Sequence, residues 1–114
     1  MEKYLATIFK ELPFPCYMTY RLNEKASCMV YDIIESPSSS SDDDEELTTF
    51  ILMIRLYGNS SEIINYKNIV KDLLKTKGFK KITIPVPVYD IQVGVYQQAM
   101  QYQITVDTNS LIHS

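Results

Sequence analysis

The order of periodic segments predicts an α+β fold: helix, two strands, a loop, a strand, helix, then two more strands. Three observations carry this. Two segments repeat their apolar residues at helical spacing, near residues 2–12 and 62–77. The remaining apolar stretches alternate with period two, as strands do. The connections are mostly short, which favours strands that reverse against their neighbours. An antiparallel sheet of about four to five strands, with both helices packed on one face, closes such a chain. Only the second helix is long enough to serve as a parallel crossover and make the sheet mixed. With 114 residues, 46% of them hydrophobic, the chain is expected to form one domain over residues 1–107, followed by a frayed tail at 108–114.

The opening helix takes its stripe from Tyr4, Leu5, Ile8, Phe9 and Leu12, and Pro13 and Pro15 stop it. Cys16 to Tyr20 reads as a short strand, and Asn23-Glu24-Lys25 as a polar turn. Cys28 to Glu35 follows, with Cys28, Val30 and Ile34 on one face and Met29, Tyr31 and Ile33 on the other. Ser36-Pro37 should break that strand. Residues 36–46 then hold four consecutive serines and five consecutive acids, a composition that buries no apolar surface and predicts a mobile hairpin loop.

Leu47 to Tyr57 is the strongest strand. Phe50, Leu52, Ile54 and Leu56 share one face, while Ile51, Met53 and Tyr57 share the other with Arg55. Apolar residues on both faces place it centrally, or with its back against a partner. Asn59 and Glu62 have the spacing of a capping box, so the second helix should start there. Its buried stripe is Ile63, Tyr66, Val70, Leu73 and Leu74, with Lys67, Lys71 and Lys75 on the wet flank. Gly78 supplies a left-handed stop. Lys81 to Tyr89 alternates but contains Pro85 and Pro87, marking an edge strand or an extended arm. The last strand, Val95 to Val106, sets Tyr96, Met100, Tyr102, Ile104 and Val106 against a wet row of Gln97, Gln101, Gln103 and Thr105.

Composition excludes several function classes. Net charge is −3, but the run Asp42, Asp43, Asp44, Glu45 and Glu46 holds five of the 14 acidic residues. The rest of the chain is close to neutral, without the basic excess of a dedicated nucleic-acid binder. No apolar run approaches the roughly 18–20 residues of a membrane span, and Met1-Glu2-Lys3-Tyr4 does not open an apolar leader, so synthesis in a cytosol is expected. Cys16 and Cys28 read as buried thiols rather than a redox pair or metal site. His113, the lone histidine, sits in the tail, where no general base can be held against a substrate. The three glycines stand apart at element boundaries and build no phosphate loop. The acidic run lacks the alternating ligands and turn glycine of an EF-hand. No cofactor or metal is expected.

What remains are surfaces. Lys77, Lys80 and Lys81 end the one basic concentration, and their simplest use is to meet the acidic residues 42–46 of a neighbouring copy or partner. Nine tyrosines suit contacts that are apolar in the ring and wet at the hydroxyl, though strand propensity alone also explains them. Tyr31, Asp32 and Arg55 are the only strand-borne polar set an enzyme could use, and Arg55 beside Asp32 reads more simply as a cross-strand ion pair.

From Met1 to about Val106 the chain resembles the small tail-terminator, or tail-completion, proteins of long-tailed (siphovirus-type) bacteriophages and prophages. The likeness lies in Phe14-Pro15-Cys16-Tyr17 entering a strand, and in two long strands around a variable loop, the second ending Ile54-Arg55-Leu56-Tyr57. It continues in the helix from Glu62 to Lys77 with Val70 and Leu73-Leu74, closing on Gly78-Phe79, and in the strand Tyr102-Gln103-Ile104-Thr105-Val106. The serine-acidic loop departs from the composition expected at that hairpin tip. The resemblance implies an α+β, non-enzymatic virion protein, made in the bacterial cytoplasm. It would form a hexameric ring that caps the tail tube at the head-proximal end and offers the head connector its joining surface. Its partners would be itself, the tube protein and connector proteins, with DNA only as cargo and no membrane. A head–tail connector adaptor is the nearest alternative. A cytosolic interaction module docking through the acidic loop is another, separated from the first two by whether phage structural genes adjoin this one.

Overall fold

Two helices cover one face of a six-stranded sheet in the computed structural model, which describes residues 1–18, 27–37, 47–92 and 94–107. The elements are α1 (Glu2–Phe9), β1 (Cys16–Met18), β2 (Cys28–Pro37), β3 (Leu47–Gly58), α2 (Ser60–Thr76), β4 (Lys80–Thr83), β5 (Val88–Asp90) and β6 (Val95–Asp107). The sheet order is β1-β2-β3-β6-β4, with β5 also on β6, and every pair is antiparallel except β1 with β2. The fold is α+β.

β3 is central, and the register carries its alternation outward. Leu56, Ile54 and Leu52 face Met29, Tyr31 and Ile33 of β2 on one side and Gln98, Met100 and Tyr102 of β6 on the other. Paired residues share a sheet face, and this face is the inner one. Leu5, Ile8 and Phe9 of α1 and Ile63, Val70 and Leu74 of α2 pack on it as a single buried cluster. Phe9 meets Tyr31 edge-on at 4.8 Å, and Phe14 stacks on Tyr66 at 4.0 Å, so the turn after α1 is tied to both layers.

α2 begins as its sequence dictates. The Asn59 side chain accepts from the Glu62 amide at 2.8 Å, and Glu62 Oε1 accepts from the Asn59 amide at 3.1 Å. Glu62 Oε2 also accepts from the Ser27 hydroxyl at 2.8 Å, which fastens the start of α2 to the residue before β2. A Cβ on Gly58 would stand 3.2 Å from the Glu62 Cβ and 3.3 Å from the Ser27 oxygen, close enough that Glu62 and Ser27 would have to give by a few tenths of an ångström. At the other end Gly78 has φ +87°, the left-handed stop, and Phe79 returns to the core with its amide on the Leu74 carbonyl.

Four expectations need correction. β1 runs parallel to β2, although a crossover was expected only at α2. The nine residues between Met18 and Cys28 exceed a tight hairpin, so nothing local forces the chain to reverse against its neighbour. α2 does cross over as well: β3 and β4 both oppose β6 and are therefore parallel to each other. α1 ends at Phe9 rather than Leu12, and the turn bonds Glu11 to Ile8 and Leu12 to Phe9 tighten the chain there. Leu12 precedes Pro13, which disfavours the α conformation for it. β2 is not broken at Ser36 but continues through Pro37, paired with Thr48, a strand end where a missing amide costs little. Lys81 to Tyr89 is not one strand: β4 and β5 flank Ile84–Pro87, which makes no ladder pairs. The expected turn at 23–25, loop residues 38–46 and the tail at 108–114 lie outside the described residues.

The molecule is 51 Å long and 24 Å by 23 Å across. β3 and β6 set that length, since 12 or 13 residues at ~3.4 Å each span about 40 Å, whereas the 17 residues of α2 span only about 26 Å. α2 therefore ends near the level of the Lys80–Gln103 pair. Residues 47–50 and 104–107 run on beyond it.

The α2 cap yields two expectations. Asn59→Ala removes the acceptor for the Glu62 amide and should lower stability by about 1 kcal/mol in denaturant unfolding. The Glu62 carboxyl is held below its ordinary value of 4.5, first by the Asn59 amide and then by the Ser27 hydroxyl. A depressed native value means stabilisation that is complete above pH 4.5 and lost as pH falls through the native value. Thermal melts of the natural chain and Glu62→Gln should therefore differ most near neutrality and converge in acid.

Candidate interaction surface

The stretch from Lys80 to Ile91 forms an arm along the outer side of β6. Going from Lys80 to Asp90 the arm uses two more residues than β6 uses between Gln103 and Val95. One extra residue falls at the register shift between Lys81 and Thr83, the other between Thr83 and Val88. The second is where Pro85 and Pro87 lie, neither of which has an amide to donate. Something must replace the missing ladder, and Gln98 does. Its side chain, 1% exposed, donates to the Pro85 carbonyl at 2.7 Å and the Ala99 carbonyl at 2.8 Å.

Held this way, the arm presents its apolar residues to solvent. Val86 is 82% exposed and Ile91 86%, while Ile82, Val88 and Tyr89 are also exposed. Only Ile84 turns in to pack on the core. The Tyr89 ring lies edge-on to Tyr96 at 4.8 Å, and the Gly94 amide closes the following turn on the Asp90 carbonyl at 2.7 Å. An isolated exposed aliphatic residue is ordinary, but a run of them on one edge marks a contact surface.

The three lysines named from sequence gather where this arm begins. Lys77 is half-buried at the α2 C-cap; Lys80 and Lys81 are exposed. They do not form one flat patch. Lys80 pairs with Gln103 on the outer face of the sheet, and Lys81 pairs with Tyr102 on the helix side. Their suggested counterparts, Asp42, Asp43, Asp44, Glu45 and Glu46, lie outside the described residues.

The outer face of the sheet has no described helix over it. Ile34, Ile51, Met53 and Ala99 occupy its middle, flanked by Gln97, Gln101 and Gln103. Arg55 and Asp32 form a 3.6 Å ion pair there, and the Thr49 and Thr105 hydroxyls meet at 2.9 Å. At one end a second small cluster, Cys28, Val30, Tyr57 and Val95 with Tyr17, closes off its own apolar surface.

The polar trio considered for an enzyme does not come together. Asp32 and Arg55 are on the outer face, while Tyr31 is buried on the inner face against Phe9. Cys16 is no nucleophile: burial, with a smaller contribution from Cys28, pushes its thiol up to about 12, so it stays protonated near neutrality. Among the described residues no three His, Cys, Asp or Glu side chains gather as a metal site, and no helix is long and apolar enough to cross a membrane. His113 lies outside them. Among the described residues Tyr31, Tyr57 and Tyr102 are buried, Tyr17, Tyr66 and Tyr96 are half-buried, and Tyr4 and Tyr89 are exposed.

An open trough of about 670 Å³ lies under α1, at the end of the sheet that α2 leaves uncovered. Ile33, Glu35 and Phe50 of the sheet form its floor, and Met1, Glu2, Lys3, Tyr4 and Thr7 line it from the α1 side. Sequence reading did not find this trough, nor the buried Gln98. The trough arises from the length mismatch between β3 and α2. Gln98 was legible in principle, since it falls on the apolar row between Tyr96 and Met100. No family model matches the chain, and no curated protein matches it.

Gln98→Ala leaves the Pro85 carbonyl without its donor. Amide exchange across β5, residues 88–90, should then quicken about tenfold or more, with a loss of roughly 1–3 kcal/mol in global stability, read by hydrogen exchange and denaturant unfolding.

Proposed function

We propose that this chain is a non-enzymatic structural protein that associates with itself into a ring. In the reading its sequence resemblance favours, this is a tail-terminator or tail-completion protein of a long-tailed bacteriophage. The observation that carries the self-association is the arm. A chain that sorts Leu52, Ile54, Leu56 and Met100 into the interior nonetheless leaves Val86, Val88 and Ile91 in water. Burial of these residues against another protein removes that cost at about 25 cal/mol per Å² of apolar surface.

The placement of the resemblance segments supports the tail reading. Phe14 to Tyr17 leads into β1, Ile54 to Tyr57 closes β3, Glu62 to Lys77 is α2 and its cap, and Tyr102 to Val106 lies in β6. The two long strands β2 and β3 flank the serine-acidic segment, the position where the resemblance puts a variable hairpin tip. In such a ring the arm and the outer sheet face would supply contacts to neighbours, tube and connector, and DNA would pass without being bound.

Light scattering over a concentration series, with negative-stain images at the highest concentration, tests this. The expected result is a closed ring near six copies, about 79 kDa, from subunits of 13.2 kDa. A strict monomer that also fails to cap purified tail tubes would overturn the reading.

A further inference from the structure

Two features left over by the fold lie on opposite sides of it. The arm occupies the β6 side of the sheet, and the trough lies under α1 over β2 and β3, with β6 between. The arm projects Val86 and Val88 and carries two exposed cations, Lys80 and Lys81. The trough has Ile33, Glu35 and Phe50 of the sheet for its floor and Glu2 on its α1 side, with Lys3 as its one lysine.

We infer that the arm of one copy seats in the trough of a second copy. The inference deepens the self-association proposed above by naming the contact, and it holds for a ring with or without a phage tail. Apolar knobs meet the Ile33 and Phe50 side chains, and Lys80, which shares the outer side of the sheet with Val88, meets the carboxylates. A volume of 670 Å³ falls in the ~300–1,000 Å³ range of clefts that enclose small ligands, room enough for a few aliphatic side chains. The arm does not reach its own trough, because β5 pairs with β6 and Gln98 ties Pro85 to the same strand.

Contact by side chains rather than by strand addition follows from the backbone. Two prolines and two register shifts interrupt the arm, the devices by which edge strands resist pairing with another chain. Because arm and trough are different surfaces, the contact is head-to-tail: each copy gives one arm and receives one. Such contacts repeat until they close into a ring.

Three paired variants at exposed positions test this: Val86→Asp with Val88→Asp, Glu2→Lys with Glu35→Lys, and Lys80→Glu with Lys81→Glu. Circular dichroism confirms that each stays folded. In sedimentation velocity each pair should weaken self-association about tenfold or more. A chain carrying both charge reversals together should recover it. The decisive mixture joins the Val86/Val88 variant, whose trough is intact, with the Glu2/Glu35 variant, whose arm is intact. At a concentration where neither associates alone, they should form a one-to-one dimer and nothing larger. A natural chain that forms rings unaffected by these variants overturns the contact and leaves the ring reading standing. A mixture that stays monomeric, or that rebuilds the full assembly, likewise overturns the contact. A natural chain that is monomeric throughout removes the contact, and removes the ring reading as well if it also fails to cap purified tail tubes.

Discussion

Everything in this fold hangs on the register of β3. It is paired along its length on both sides, so its alternation is imposed on β2 and β6 alike. A slip of one residue would turn Arg55 and Met53 toward the helices and bring Leu52, Ile54 and Leu56 out to the other face. Those three leucine and isoleucine side chains are essentially inaccessible to water. Each contributes ~1.5–3 kcal/mol on burial, and placing the Arg55 guanidinium among apolar groups would cost more still. The pattern thus admits one pairing, and the helices find their face because that pairing has defined it.

What was legible in the sequence is what is local. The capping box of Asn59 and Glu62 needs only neighbours within one turn, and Gly78 needs only its own backbone. The alternation of β3 and β6 is likewise written in consecutive residues. Relations between distant segments were not legible. Nothing near Cys16 says that it will lie parallel to Met29, and nothing near Pro85 says that a glutamine 13 residues later will bind its carbonyl. Tyr31 and Asp32 are adjacent in sequence and therefore point to opposite faces, so grouping them as one polar set ignored the period of the strand. The lysines show the same lesson, since neighbours 80 and 81 also diverge across the sheet.

The candidate surfaces follow from mismatches between otherwise regular parts. β3 and β6 outrun α2, and the trough is the part of the inner face that one helix leaves to the other. The arm outruns β6 by two residues, and the surplus, interrupted by prolines, is pushed outward with its aliphatic side chains. Neither feature is disordered in its attachment. Gln98 and the Tyr89–Tyr96 contact hold the arm from within, so little conformational entropy remains to be lost when something covers it.

The path of the chain through the sheet also bears on how it folds. β6 is the last strand in sequence yet lies between β3 and β4, both made earlier. Leu47 pairs with Asp107, a separation of 60 residues, whereas β2 and β3 are neighbours along the chain. The β2–β3 hairpin and α2 can form early from local contacts, but the middle of the sheet waits for a distant segment. Loop closure on that scale slows folding. Until β6 enters, β3 offers one bare hydrogen-bonding edge and the apolar stripe of α2 has only half its floor. The same edge that organises the native molecule is, for that interval, its most adhesive surface for a wrong partner.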